Sequence, residues 1–256
     1  MHPMERLRYV ARADGTPQRI LVSETADALL DVVDEPAGLV TACRQMVQRQ
    51  PTSGPLVWLA AHLLSADEPA AVVWDLVAGF DDDPTDRELA HALADGARLV
   101  VLGWPEVVTA ALGRRGDVTV TSLEGPVVAG RLPLIEPEPL EAPLSGASVA
   151  LAGADIVVCE ALAAGPEAML TAAGTGPVVA AAAHAGVDVW AVVPHGRALP
   201  APLWRGMVRR LPPASVYAEH EVVDASLVTA AVSPVGRSSL ADAIHAGACP
   251  PAPELQ

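Results

Sequence analysis

The sequence predicts an α/β protein in which a helical N-terminal region precedes a Rossmann-like, mostly parallel doubly wound sheet. Three observations carry this. Past residue 95, short continuous apolar runs alternate with helical stretches, the pattern of parallel strands buried on both faces. Before residue 95, apolar residues recur at spacings of three and four, as in Leu56, Leu59, Ala60, Leu63 and Leu64, which is helical periodicity. Of the 256 residues, 51% are hydrophobic and only 3% aromatic, so the core must be built from small aliphatic side chains in close layers. The length fits a smaller domain ahead of a larger one, divided as 1–94 (N-terminal arm and helical domain) and 95–256 (sheet domain).

The elements follow in order. Leu7–Val10 and Ile20–Val22 read as an extended pair around the Asp14-Gly15 turn. Ser23 reads as the N-cap of a helix over Glu24–Val33. Further helices are expected over Ala37–Gln48, Leu56–Leu64, Ala70–Ala78 and Asp86–Ala94, separated by Pro- and Asp-rich breaks. Asp81–Asp83 reads as a solvated turn and helix cap rather than a metal site. Strands are expected at Arg98–Leu102, Val118–Ser122, Ile156–Cys159 and Val187–Val193. Helices Glu106–Leu112, Ser148–Ala152 and Gly176–Ala185 lie between them. Residues 133–143 hold Pro133, Pro137, Pro139 and Pro143 and read as a surface loop. Glu221–Val223, Leu227–Val232 and Leu240–Ala246 close the chain.

Composition excludes several chemistries. All sixteen basic residues are Arg, so Schiff-base chemistry, a lysine base and a P-loop lysine are ruled out together. The net charge of −15 disfavours nucleic acid and anionic membrane surfaces as partners. Cys43, Cys159 and Cys249 are far apart and lack metal-ligand spacing, so they read as reduced, mostly buried thiols of a cytoplasmic protein. No metal or cofactor is expected. There is no GxGxxG, GxxxxGK[ST] or GxSxG.

Ligands of doubly wound sheets sit outside the carboxyl ends of the strands, at the switch in strand order. This nominates Gly103-Trp104-Pro105-Glu106, Leu123–Gly130, Cys159-Glu160 and Pro194-His195-Gly196-Arg197. Glu160 stands as a catalytic carboxylate or a helix-capping one. His195 stands as a base or a polar turn residue, and Arg197 as a fork for phosphate. Trp104 is either a lid over the pocket or ordinary packing. Arg205, Arg209 and Arg210 share a helical face with Trp204 and Met207 and read as a solvated, salt-bridged surface.

Several stretches resemble one family. Asp95–Leu102 looks like its "DGDxILT" strand, and Val120–Arg131 like its "VTESRPxxxGR" segment. Ala154–Thr175 with Val178–Val193 looks like its "GADxIxxxGxvxNKxGT" region, and Val222–Gly236 like its closing "ItxiiTexG". The family is that of the translation initiation factor 2B alpha, beta and delta subunits, which includes methylthioribose-1-phosphate and ribose-1,5-bisphosphate isomerases. The resemblance covers roughly residues 23–250. It implies an isomerase Cys after the first sheet strand and an isomerase Asp in the GAD motif. The Cys position falls on Gly103. The GAD motif aligns either on Gly153-Ala154-Asp155 or, in the ungapped register into Gly174-Thr175, on Cys159-Glu160-Ala161; the second is preferred and leaves Glu160 as the nearest carboxylate. The Lys and one Arg of the family site are replaced, while Gly130-Arg131, Gly174-Thr175 and Gly236 survive. The resemblance implies Arg131, Gly174 and Thr175 as ligand-binding positions and puts Gly103 and Glu160 at or beside its site positions; the strand-end placement adds Trp104 and Arg197 as ligand-binding candidates and His195, with Glu160, as a catalytic candidate.

The expectation is a regulatory or small-molecule binding protein with a degenerate isomerase site, taking a phosphorylated small molecule and forming a homodimer. Two alternatives stand beside it. One is a sugar-phosphate isomerase using Glu160, His195 and Arg197. The other is a structural dimeric interaction subunit.

Overall fold

The computed structural model describes residues 18–127 and 135–256. The helices are α1 (Gln18–Leu30), α2 (Pro36–Arg49), α3 (Gly54–Ser65), α4 (Pro69–Asp81), α5 (Thr85–Ala92), α6 (Glu106–Leu112), α7 (Ala147–Ala152), α8 (Thr175–Ala185), α9 (Ala201–Arg210) and α10 (Leu240–Ala246). The strands are β1 (Arg98–Trp104), β2 (Thr119–Val127), β3 (Leu140–Ala142), β4 (Ile156–Glu160), β5 (Ala163–Ala164), β6 (Ala168–Ala172), β7 (Asp188–Val192), β8 (His220–Asp224), β9 (Ala230–Ser233) and β10 (Gly236–Ser238).

Prolines open α2, α3 and α4, where a fixed φ suits the first turn and no N–H is needed. Ser53 caps α3 by accepting from the Leu56 N–H. One expectation fails here. Ile20–Val22 is helical, not extended, and Ser23 lies inside α1 rather than capping it. Leu21, Val22, Thr25, Ala26 and Leu29 are buried at helical spacing, and burying that face outweighs the local β preference of Ile-Leu-Val. Leu7–Val10 lies outside the described residues. Leu29, Leu56, Leu59 and Leu63 share a core with Leu199, Leu203, Trp204 and Met207, so α9 seats against the helical region.

The main sheet has the order β3-β2-β1-β4-β7-β9-β10. All neighbours are parallel except β9 and β10. Residues alternate between two cores, as the pleat requires. Val100, Leu102, Val157, Cys159, Val189 and Ala191 face α7, α8 and α10. Leu99, Val101, Val158, Trp190 and Val192 face α5 and α6. A smaller antiparallel sheet, β5-β6-β8, stands apart from it.

The expected loop over 133–143 contains β3, a three-residue edge strand pairing with β2. Pro139 and Pro143 flank it and confine it to the edge, because proline cannot donate to a ladder. The stretch Leu227–Val232 is divided: Ala225–Leu227 is a 3₁₀ turn and the strand begins at Ala230. Asp224 accepts from the Ser226 N–H and fixes that turn.

Candidate functional site

From β1 the chain moves outward to β2 and β3; from β4 it moves the other way to β7 and β9. The switch point therefore lies between the carboxyl ends of β1 and β4. A cavity of about 470 Å³ opens there, with walls from α1, α4, α5, α6 and the segment after β7.

Glu160, the last residue of β4, is paired with Arg197, which borders this crevice. Its Oε2 accepts from the backbone N–H groups of Val107 (2.8 Å) and Val108 (3.1 Å), in the first turn of α6. Its Oε1 accepts from Arg197 Nη1 at 2.7 Å, and the same nitrogen donates to the Ala161 carbonyl at 2.7 Å. The two side chains are only 5% and 6% exposed, so this is a buried, charge-assisted pair. Gly196 makes the approach possible. Its φ of +74° is left-handed, and a Cβ there would lie 2.6 Å from the Phe80 ring.

His195 follows β7 and is wedged among rings. Trp58 and Phe80 meet it edge-on at 4.7 and 4.8 Å. Its backbone N–H donates to Asp83 Oδ2 at 2.9 Å. Its Nε2 is buried without a partner, pressed against Gly79, where a Cβ would sit 2.9 Å away. Burial lowers the proton affinity of the imidazole, and Asp83 opposes this. The His62 ring also meets Trp58, tilted at 45° with the ring centres 4.0 Å apart. Burial, then the charge of His195, lowers its pKa to about 4.

Two wall residues acquire roles that their sequence context does not show. Asp83 accepts from the Thr85 N–H at 3.0 Å at the start of α5 while holding His195 from the other oxygen. It closes a turn ahead of α5, whose N-cap position is Pro84 rather than an aspartate of the Asp81–Asp83 run, and it also ties that run to the sheet. Glu106 is raised above the ordinary carboxylate range by burial and by the charge of Glu160. Arg197, Arg19 and the backbone of Gln18 pull it back.

The remaining candidates lie elsewhere. Gly103 has φ +62° at the point where the β1–β2 register slips. Trp104 is buried in the sheet core, which is the packing alternative, though it also borders a second cavity of about 390 Å³ at the ends of β1, β2 and β3. Gly174 is left-handed at the start of α8, and the Thr175 hydroxyl donates to the Ala172 carbonyl at 2.7 Å. The first turn of α8 is capped by Glu221, which accepts from the Gly176 N–H at 2.7 Å. Nothing in the local sequence pairs Glu221 with α8. Arg131 falls outside the described residues.

Asp155, the other GAD candidate, lies at the amino end of β4. There it pairs with Arg98 at 2.6 Å, at the opposite edge of the sheet from Glu160. Cys159 faces the core, and burial pushes its thiol up to about 12. Arg205 pairs with Glu167, and Arg210 donates to the Leu255 carbonyl at 2.7 Å. Among the described residues no helix is long and apolar enough to cross a membrane, and no three His, Cys, Asp or Glu side chains gather as metal ligands.

No family model matches the sequence, and no curated protein does. Solved structures match in fold. The translation initiation factor eIF-2B of Pyrococcus horikoshii OT3 aligns with a TM-score of 0.70 at 14% identity, over 93% of this chain and 96% of that one. The eIF2B beta of Chaetomium thermophilum aligns with a TM-score of 0.71 at 11% identity, over 99% and 93%. The eIF2B delta of the same organism gives 0.66 at 16%, over 90% and 97%. A further match is to the tetrameric eIF2B-beta2-delta2 complex from C. thermophilum, at 0.65 and 12%, over 95% of this chain and 92% of that one. The chain has the fold of these subunits over nearly its whole length, in agreement with the motif resemblance.

Proposed function

We propose that this chain is an initiation factor 2B-like binding protein with a regulatory role, one that keeps a ligand crevice at the switch point and carries out no isomerase chemistry there. The observation that supports this reading is the closed Glu160–Arg197 pair. Moving a proton between adjacent sugar carbons needs two titratable groups facing one carbon skeleton and free to change protonation. Both Glu160 oxygens are committed to donors of the protein itself, so neither is left to face a carbon skeleton. The family's thiol position falls on Gly103, near the end of β1, and Cys159 turns into the core. His195 is boxed in by rings.

The test is a turnover assay with methylthioribose 1-phosphate and ribose 1,5-bisphosphate, run alongside equilibrium binding of small molecules. Saturable one-to-one binding with no isomerised product is expected. Product formation that disappears in Glu160→Gln would replace this reading with the isomerase alternative.

Self-association belongs to the same proposal. The matched eIF2B-beta2-delta2 structure is an assembly, and Leu140 and Val149 stand 65% and 79% exposed at one end of the sheet. Light scattering on the purified chain is expected to give the mass of a homodimer; a monomer at all concentrations would refute it. All three cysteines are unpaired, which suits a reducing cytoplasm.

A further inference from the structure

The small sheet β5-β6-β8 has one covered edge and one open edge. Outside β5, the Ala164 N–H donates to the Arg197 carbonyl at 2.7 Å and the Leu199 N–H donates to the Ala164 carbonyl at 2.8 Å. At the other edge, β8 has β6 as its single neighbouring strand among the described residues. The register fixes which backbone groups of β8 are spent. The Ala173 N–H donates to the Glu219 carbonyl at 2.9 Å and the Ala225 N–H to the Glu167 carbonyl at 3.1 Å, so alternate residues from Glu219 to Ala225 face β6. The N–H and C=O of Val222 point the other way, and among the described residues no hydrogen bond reaches them. An edge with unspent donors and acceptors is a template for another strand. Val222 is 46% exposed on it, and the turn just ahead carries Val216 and Tyr217 at 94% and 90% exposed.

The side chains decide which strand fits. A two-fold contact needs a surface that complements itself. Antiparallel pairing of β8 with a second copy, centred on Val222, sets Val222 against its own counterpart, Asp224 against the partner's His220 and Glu221 against the partner's Val223. Centring on Glu221 instead would oppose two glutamates, and centring on Val223 would set Val222 against Asp224. Of the three registers, the first matches apolar to apolar and carboxylate to imidazole. It also brings Val216 and Tyr217 of one copy to the partner's Val228 and Leu227, which are only partly buried.

We infer that two copies of this chain join β8 to β8 about an axis at Val222, fusing the two three-stranded sheets into one antiparallel sheet. This rests on the reading that the chain self-associates, and it names the edge through which it does so.

The experiment is oxidative cross-linking of the full chain, with light scattering alongside. Opposed residues of a hydrogen-bonded antiparallel pair have Cα atoms about 5.5 Å apart, within disulfide reach. Val222→Cys is expected to give a linked dimer as its main product. Val235→Cys, 69% exposed at the β9–β10 turn, should give only a trace, and so should the native chain with its own three cysteines. Val222→Pro removes the outward N–H and no bond of the β6 ladder. It should keep the far-UV circular dichroism of the native chain and raise the dimer dissociation constant about tenfold or more. The link at 222 reads the pairing whether or not that variant folds. A dimer that forms no link at 222, that links equally at 235, or that survives undiminished in a folded Val222→Pro chain would overturn the strand pairing and leave self-association standing. A monomer at all concentrations would overturn both.

Discussion

The Arg197 guanidinium and the Glu160 carboxylate meet at 2.7 Å with both side chains almost wholly out of solvent. The pair joins three segments: the end of β4, the first turn of α6 and the chain after β7. Truncating either partner leaves the other charge buried and unmatched, at a cost of about 3–5 kcal/mol. Glu160→Ala and Arg197→Ala are each expected to lower stability by that amount in urea unfolding. The double variant Glu160→Gln/Arg197→Met, which leaves no orphan charge, should cost far less than the sum of the two. Strictly additive losses would show that the two groups do not interact.

Stability should fall as acid is added between pH 6.5 and about 4. His62 has an ordinary pKa of 6.5 when the chain is open and about 4 in the fold, because burial and His195 resist its charge. Across that window the unfolded chain takes up a proton that the folded chain refuses, so acid favours unfolding. The burial of His195 acts in the same direction. Asp155 contributes in a lower window. Arg98 holds it at about 2 against 3.8, so its contribution is present above pH 3.8 and is lost towards 2. Urea midpoints measured from pH 7 to 4 should decline, and His62→Phe should flatten the decline. An unchanged slope in that variant would remove His62 from the account.

The central strands β1, β4 and β7 were legible because they are short apolar runs bounded by turn residues, and α6 because Pro105 and Gly113 mark its limits; the edge strands β3 and β10 carry no such run. The Ala-Ala strand β5 has no period to read, and it is placed by its ladder with β6. The start of α1 was hidden because a β-branched triplet masks a helical face whose value lies entirely in tertiary burial. In the crevice, the position of Glu160 follows from its place at a strand end. Its partners do not, since Arg197, Val108 and Val107 lie 37, 52 and 53 residues away. Sequence proximity also separates Asp83 from His195 and Glu221 from α8, so both carboxylates read as ordinary surface charge until the chain closes.

Glu221 should behave as a helix cap although it lies on β8. It accepts from the Gly176 N–H at 2.7 Å, where the first turn of α8 otherwise has free donors and a favourable dipole. Glu221→Ala is expected to cost about 1 kcal/mol, and Glu221→Gln, which keeps an acceptor but loses the charge, about half of that. Hydrogen exchange should localise the effect to residues 175–178. A Glu221→Gln variant as stable as the wild type would mean that the charge contributes nothing.

Gly196 and Gly186 share a left-handed backbone, with φ of +74° and +72°, but differ in surroundings. A Cβ at Gly186 meets nothing within 4 Å, whereas one at Gly196 would lie 2.6 Å from Phe80 and 3.5 Å from Pro55. Alanine at 186 therefore carries only the conformational cost, about 1 kcal/mol. Alanine at 196 adds an overlap that Phe80 can relieve only by moving away from His195 and Trp58, so its cost should reach about 3 kcal/mol. Because Arg197 is the next residue, the same change should also displace its guanidinium from Glu160. Gly196→Ala should thus lose most of its additional cost in an Arg197→Met/Glu160→Gln background if the loop acts through the ion pair, and keep it if the Phe80 contact alone decides. Comparing unfolding free energies of the two alanine variants in both backgrounds separates the steric contribution from the electrostatic one.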